Sequence, residues 1–105
     1  MISRIWHGWT SKANAAAYEA LLRNDILPGI QNRRIPGYRG VDLLRTDTND
    51  QVEFLTILWF DSYDAIREFA GEDYEKAVVP ARAQALLSRY DSHSQHYDVV
   101  VALEL

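Results

Sequence analysis

An α+β fold, with helices packed against an antiparallel sheet, is what this sequence predicts. Stretches rich in β-branched and aromatic residues alternate with alanine- and leucine-rich stretches whose apolar residues recur at helical spacing. The two central strand-like stretches are separated by only a short polar turn, which makes them a hairpin. The composition is that of an ordinary folded domain rather than a disordered chain.

Residues 2–10 (ISRIWHGWT) read as the first strand. Ser11 is the expected N-cap of a helix that starts at Lys12, with Tyr18, Leu21, Leu22 and Ile26 forming its apolar stripe. Pro28-Gly29 is expected to end or kink that helix near Leu27. Pro36-Gly37 marks a turn into a second strand, Tyr38 to Thr46. After the turn Asp47 to Asp50, residues 51–60 (QVEFLTILWF) give the clearest strand of the chain. Ser62 caps a second helix with Tyr63, Ile66, Phe69 and Ala70 inward, and Gly71 closes it. A turn or two of helix is expected over 74–79, then a third helix that opens at Pro80 and carries Ala83, Leu86, Leu87 and Tyr90. Residues 96–105 (HYDVVVALEL) read as a last strand. The order β-α-β-β-α-(α)-β is that of a ferredoxin-like domain.

At 105 residues the chain is one domain, 1–105, large enough for a thin core. Its net charge of −4 disfavours a general nucleic-acid binder, which needs a basic face to displace counterions. With no cysteine, disulfides, thiolate metal sites and cysteine nucleophiles are excluded. No apolar run is long enough to span a membrane and the N-terminus is unlike a signal peptide, so a soluble cytoplasmic protein is expected. The first half of the chain is the more basic, mainly through Arg33, Arg34, Arg39 and Arg45. These arginines are either a solvated surface cluster or a clamp for an anion.

Helices on one side of a sheet should leave the other side polar. Here both sides are apolar. One face of the third strand holds Val52, Phe54, Thr56, Leu58 and Phe60; the other holds Glu53, Leu55, Ile57 and Trp59. The last strand sets Tyr97, Val99, Val101 and Leu103 against Asp98, Val100 and Ala102. On the first strand Ile5, His7 and Trp9 oppose Arg4, Trp6 and Gly8. An apolar face without helices calls for a cover, and a second copy of the chain in a two-fold dimer is the economical one. A pocket then lies either between helices and sheet or between the two sheets.

The element order, the opening strand ISRIWHGWT, the turn Ile35-Pro36-Gly37-Tyr38-Arg39-Gly40 and the segment from Val52 to Gly71 resemble the antibiotic-biosynthesis-monooxygenase (ABM) domains of the dimeric α+β barrel superfamily. In that last segment a strand ends on an aromatic and Asp61-Ser62 starts the next helix. The resemblance covers nearly the whole chain. It implies a homodimer with a hydrophobic pocket in each subunit. It also implies oxygenation of a small aromatic substrate without metal or organic cofactor, although some members have no known activity. Haem-degrading members place an Asn on the first strand and a Trp and a His after the third; here those last positions fall on Phe69 and about Val79. The haem ligand is therefore not at its usual place.

An oxygenase of this kind takes a proton from a phenol or quinol and lets the electron-rich anion react with dioxygen. It needs a base or hydrogen-bond partner, apolar walls and donors for the developing oxyanion. His7 is the candidate base by residue type, or else a core histidine satisfied by one partner. Trp6, Trp9, Tyr38, Trp59, Phe60, Phe69 and Tyr74 are candidates for lining the substrate pocket, or for plain core packing. Trp6 and Trp9 face opposite ways by strand parity, as do Trp59 and Phe60. His93 and His96 run from loop into strand, a poor arrangement for a metal. No triad or phosphate loop is evident.

Overall fold

The computed structural model describes residues 1–105. Its elements are β1 (Ile2–Ser11), α1 (Ala15–Leu21), a π-helical stretch (Leu22–Ile26), α2 (Leu27–Asn32), β2 (Tyr38–Asp47), β3 (Gln51–Phe60), α3 (Tyr63–Ala70), α4 (Ala81–Gln84), β4 (Arg89–Tyr90) and β5 (Gln95–Asp98). The sheet is antiparallel. β3 lies between β2 and β1, and the short β4 and β5 share the far edge of β1. The fold is α+β, as the alternation of strand and helix patterns predicts.

The β1–β3 pairing runs unbroken from Ile2 opposite Phe60 to Ser11 opposite Gln51. Val52, Phe54, Thr56, Leu58 and Phe60 are all buried, while the residues between them are half-exposed. This period of two identifies the helix-covered face. Two apolar clusters stand on it. Val52 and Phe54 pack with Ala15, Tyr18, Leu22 and Ala83 at one end. Leu58 and Phe60 pack with Ile2, Ile35, Ala65 and Ile66 at the other. Thr56, paired with Trp6, falls between them.

The other face of the sheet has no helix on it. Ile5, His7 and Trp9 of β1 and Glu53, Leu55, Ile57 and Trp59 of β3 lie there half-exposed. No helix of the molecule is long and apolar enough to cross a membrane.

Several boundaries differ from the sequence expectation. The first helix does not stop before Pro28-Gly29 but reaches Asn32. Just ahead of the proline the chain opens into π geometry, with the Leu27 N–H donating to the Leu22 carbonyl. Pro28 then sits in the first turn of α2, where a missing N–H costs nothing. Ser11 is the last residue of β1; its Oγ accepts from the Asn14 N–H at 3.1 Å, and the helix proper begins at Ala15. No helix forms over 74–79; Lys76 instead bridges to His93. The third helix is confined to Ala81–Gln84, and Tyr90 belongs to β4.

The last strand is shortened most. It pairs only over Gln95–Asp98, because Asp98 already lies opposite Ile2, where β1 begins. Residues 99–105 extend past the sheet with Val100, Val101 and Leu103 exposed. By contrast β3 matches the expectation at both ends. Ser62 caps α3, accepting from the Ala65 N–H at 3.2 Å. Gly71 follows α3 at φ +92°, a left-handed conformation suited to glycine.

Phe54 is fully buried and its ring centroid lies 4.8 Å from that of Tyr18. Phe54→Ala is expected to lower the unfolding free energy by about 3–5 kcal/mol, read from urea melts.

Candidate functional site

Between the two apolar clusters the helix layer stands off the sheet and leaves a cavity. Its floor is Arg4, Trp6, Thr56 and Leu58; the walls come from the first helical run, Phe69, residues 78–80, Ala83 and Ser94. Leu22 and Ile26 of the π stretch and Leu27 and Ile30 of α2 all turn toward it. The widened turn ahead of Pro28 thus falls in the cavity wall. About 70 Å³ of the interior is open to the centres of water-sized molecules, where one water needs roughly 10–15 Å³. That is room for a small ligand such as a single flat ring.

Arg4 is the charged group of this cavity. It is 2% exposed, in the middle of a β-sheet. Nη1 donates to the Tyr74 carbonyl and, at 3.0 Å, to His96 Nε2; Nη2 donates to the Lys76 carbonyl at 3.1 Å. Its guanidinium carbon lies 5.6 Å from the Phe69 ring centroid, and that of Arg33 lies 5.3 Å from the same ring. Burial pulls the Arg4 pKa down to about 10, so the group remains charged at neutral pH. An arginine offers only donors, so His96 Nε2 must accept and the imidazole carries its proton on Nδ1. Burial, and then the Arg4 charge, hold the His96 pKa below its usual value.

Trp6 is fixed from two sides. Its Nε1 donates to the Asp91 carbonyl at 2.7 Å, and its ring lies 6.0 Å from that of Tyr90. The indole passes so close over Gly8 that a Cβ there would stand 2.9 Å from Trp6 Cη2. Tyr18 also lines the cavity. Burial raises its pKa, keeping it a neutral donor.

The sequence-predicted residues divide between two sides of the sheet. Trp6 and Phe69 line the cavity. Phe60 is buried in the cluster beside it, with Tyr38 edge-on at 5.6 Å; the Tyr38 hydroxyl donates to Gln31 Oε1. The Tyr74 ring packs against Tyr63 and His96, outside the cavity, and only its carbonyl holds Arg4.

His7, Trp9 and Trp59 stand on the helix-free face. His7 Nδ1 is 2.8 Å from Glu53 Oε2, and its ring stacks on Trp9 at 5.8 Å. The Arg89 guanidinium covers Trp9 at 3.6 Å. Trp59 Nε1 donates to Asp42 Oδ2 at 2.8 Å. His7 is therefore satisfied by a carboxylate and does not reach the helix-side cavity.

The arginine clamp does not assemble. Arg39 pairs with Asp61, Arg45 with Asp47 and Glu19, and Arg33 donates to the carbonyls of Glu68 and Phe69 at the end of α3. The cavity's arginine is Arg4, which sequence reasoning passed over. Its one signal in the sequence is an arginine on the same strand face as Trp6 and Gly8. No three His, Asp or Glu side chains converge as metal ligands would.

Because the His96 pKa is depressed in the folded protein, the unfolded chain binds protons more readily. The stabilisation that follows is complete above the unfolded value of about 6.5 and is lost as pH falls below it. Denaturant midpoints are expected to drop on acidification through that window. His96→Gln should flatten this part of the profile. No family model matches the chain and no curated protein matches it, so what the site does rests on its geometry.

Proposed function

We propose that the protein is an ABM-like monooxygenase of the ferredoxin-like, dimeric α+β barrel type. Its helix-side cavity takes a small planar aromatic compound and oxidises it with dioxygen, using neither metal nor organic cofactor. The observation that carries the reading is a cavity with mainly apolar walls, an indole fixed on its floor and a buried cation beside it. Apolar walls hold a flat ring, and a fixed cation favours the electron-rich anion that reacts with oxygen. The substrate supplies all the electrons. A ring C–H of the phenol or quinol becomes a carbonyl and the ring ends as a quinone. One oxygen atom of dioxygen stays in the product, and the other leaves as water with the two hydrogens lost from that carbon and the phenol oxygen.

The helix-free face supports the homodimer. Ile5, Trp9, Leu55, Ile57 and Trp59 form an apolar patch, and the exposed valines of residues 99–105 lie beyond one end of it. A second copy would bury both. In such a dimer the His7–Glu53 pair lies between two sheets, which makes that space the alternative reaction chamber.

A non-enzymatic binding domain is the second reading. It is favoured by the absence of any imidazole or carboxylate among the cavity-lining residues.

Oxygen-electrode assays with a panel of quinols are expected to show uptake that Ile26→Trp, by narrowing the cavity, abolishes. Uptake that survives His7→Ala places the reaction on the helix side; loss in that variant places it between the sheets. No uptake across the panel leaves the binding domain. Light scattering is expected to give twice the chain mass of 12.1 kDa. Ile57→Asp, or Val99→Asp with Val101→Asp, should halve it.

A further inference from the structure

Among the residues lining the cavity, Arg4 alone carries a charge. Its acceptors are two backbone carbonyls and a neutral imidazole, and no carboxylate lies within ion-pair distance. Glu75 bears on His96, and burial is what lowers the Arg4 pKa. Three of the five guanidinium N–H donors are taken by those acceptors. The Nε–H and one Nη2–H have no protein partner. The other polar groups of the cavity, Tyr18, Thr56 and Ser94, are hydroxyls that can donate.

A buried cation without a counter-ion is an unfavourable arrangement, and an anion placed against it relieves the cost of removing it from water. The cavity thus combines an apolar wall for a ring with donors and one positive charge for an oxygen. It offers no base to remove a proton.

We propose that the cavity takes its aromatic ligand as an oxygen anion, a phenolate or carboxylate, with Arg4 as the residue that receives the charge. The proposal rests on the helix-side cavity being the ligand site and deepens that reading by fixing the ionisation state of what enters. A phenol that binds there loses its proton to solvent because Arg4 stabilises the anion. Arg4 replaces the missing base by making deprotonation easier, not by taking the proton.

The test uses the full chain and 4-nitrophenol, whose phenolate absorbs in the visible. Bound to the wild type, its ionisation should move to lower pH by roughly one to three units. Arg4→Gln should abolish the shift, and Arg4→Lys should retain part of it. Tryptophan fluorescence titrations should show benzoate binding roughly ten- to hundredfold more tightly than benzyl alcohol, which has the same ring and no charge. That wild-type comparison decides the matter if Arg4→Gln does not fold. Equal binding of the two, a shift that survives Arg4→Gln, or no binding of either form would overturn the proposal. Binding of the phenolate with no oxygen uptake from any quinol defeats the oxygenase reading alone. Oxygen uptake with no preference for the anion defeats this inference alone.

Discussion

The long ladder between β1 and β3 governs the rest of the molecule. Once Ile2 stands opposite Phe60, parity assigns every side chain of both strands to one face or the other. Even positions go under the helices and odd positions to the open side. A slip of β3 by one residue against β1 would put Leu55, Ile57 and Trp59 in the core and expel Phe54 and Phe60. The buried aromatics make that slip costly, so the register also fixes where the chemistry-bearing residues stand. Arg4 goes in because Ile2 and Phe60 do. His7 goes out for the same reason.

That parity explains why the fold was readable and the site was not. Strand β3 shows its period of two and its turn-bounded ends directly in the residues, and Ser62 and Gly71 bracket α3 with ordinary capping chemistry. The sequence also shows that both faces are apolar. What it does not show is which face the helices choose, because Val52, Phe54, Leu58 and Phe60 on one side are matched by Leu55, Ile57 and Trp59 on the other. His7 is a candidate base by residue type, a property that carries no direction. The sequence sets Arg4 on one strand face with Trp6 and Gly8, but its burial depends on carbonyls seventy or more positions away in the chain. The passage of the helix through Pro28 was equally hidden, since it required a local change of hydrogen-bond register rather than a break.

The cavity follows from an interruption in otherwise regular packing. Large apolar side chains fill both ends of the helix-covered face, and in the middle β3 supplies only Thr56. Arg4 occupies the adjacent strand, where its charge has to be satisfied by backbone carbonyls of the segment before α4. The same contacts that neutralise part of its hydrogen-bonding demand therefore anchor that segment, which forms no helix of its own, against the sheet. Stability and ligand recognition meet in one side chain, and the depressed His96 basicity is a by-product of that meeting.

Position 8 illustrates how narrowly the floor is specified. The hydrogen at Gly8 leaves room for the indole of Trp6 and for Leu87 Cδ2, which a Cβ there would meet at 2.9 Å and 3.0 Å. A methyl group there would leave the backbone ladder to Phe54 intact and tip the indole instead. A change at this residue would thus surface as altered shape in the chamber, while the strand that bears it went on pairing undisturbed.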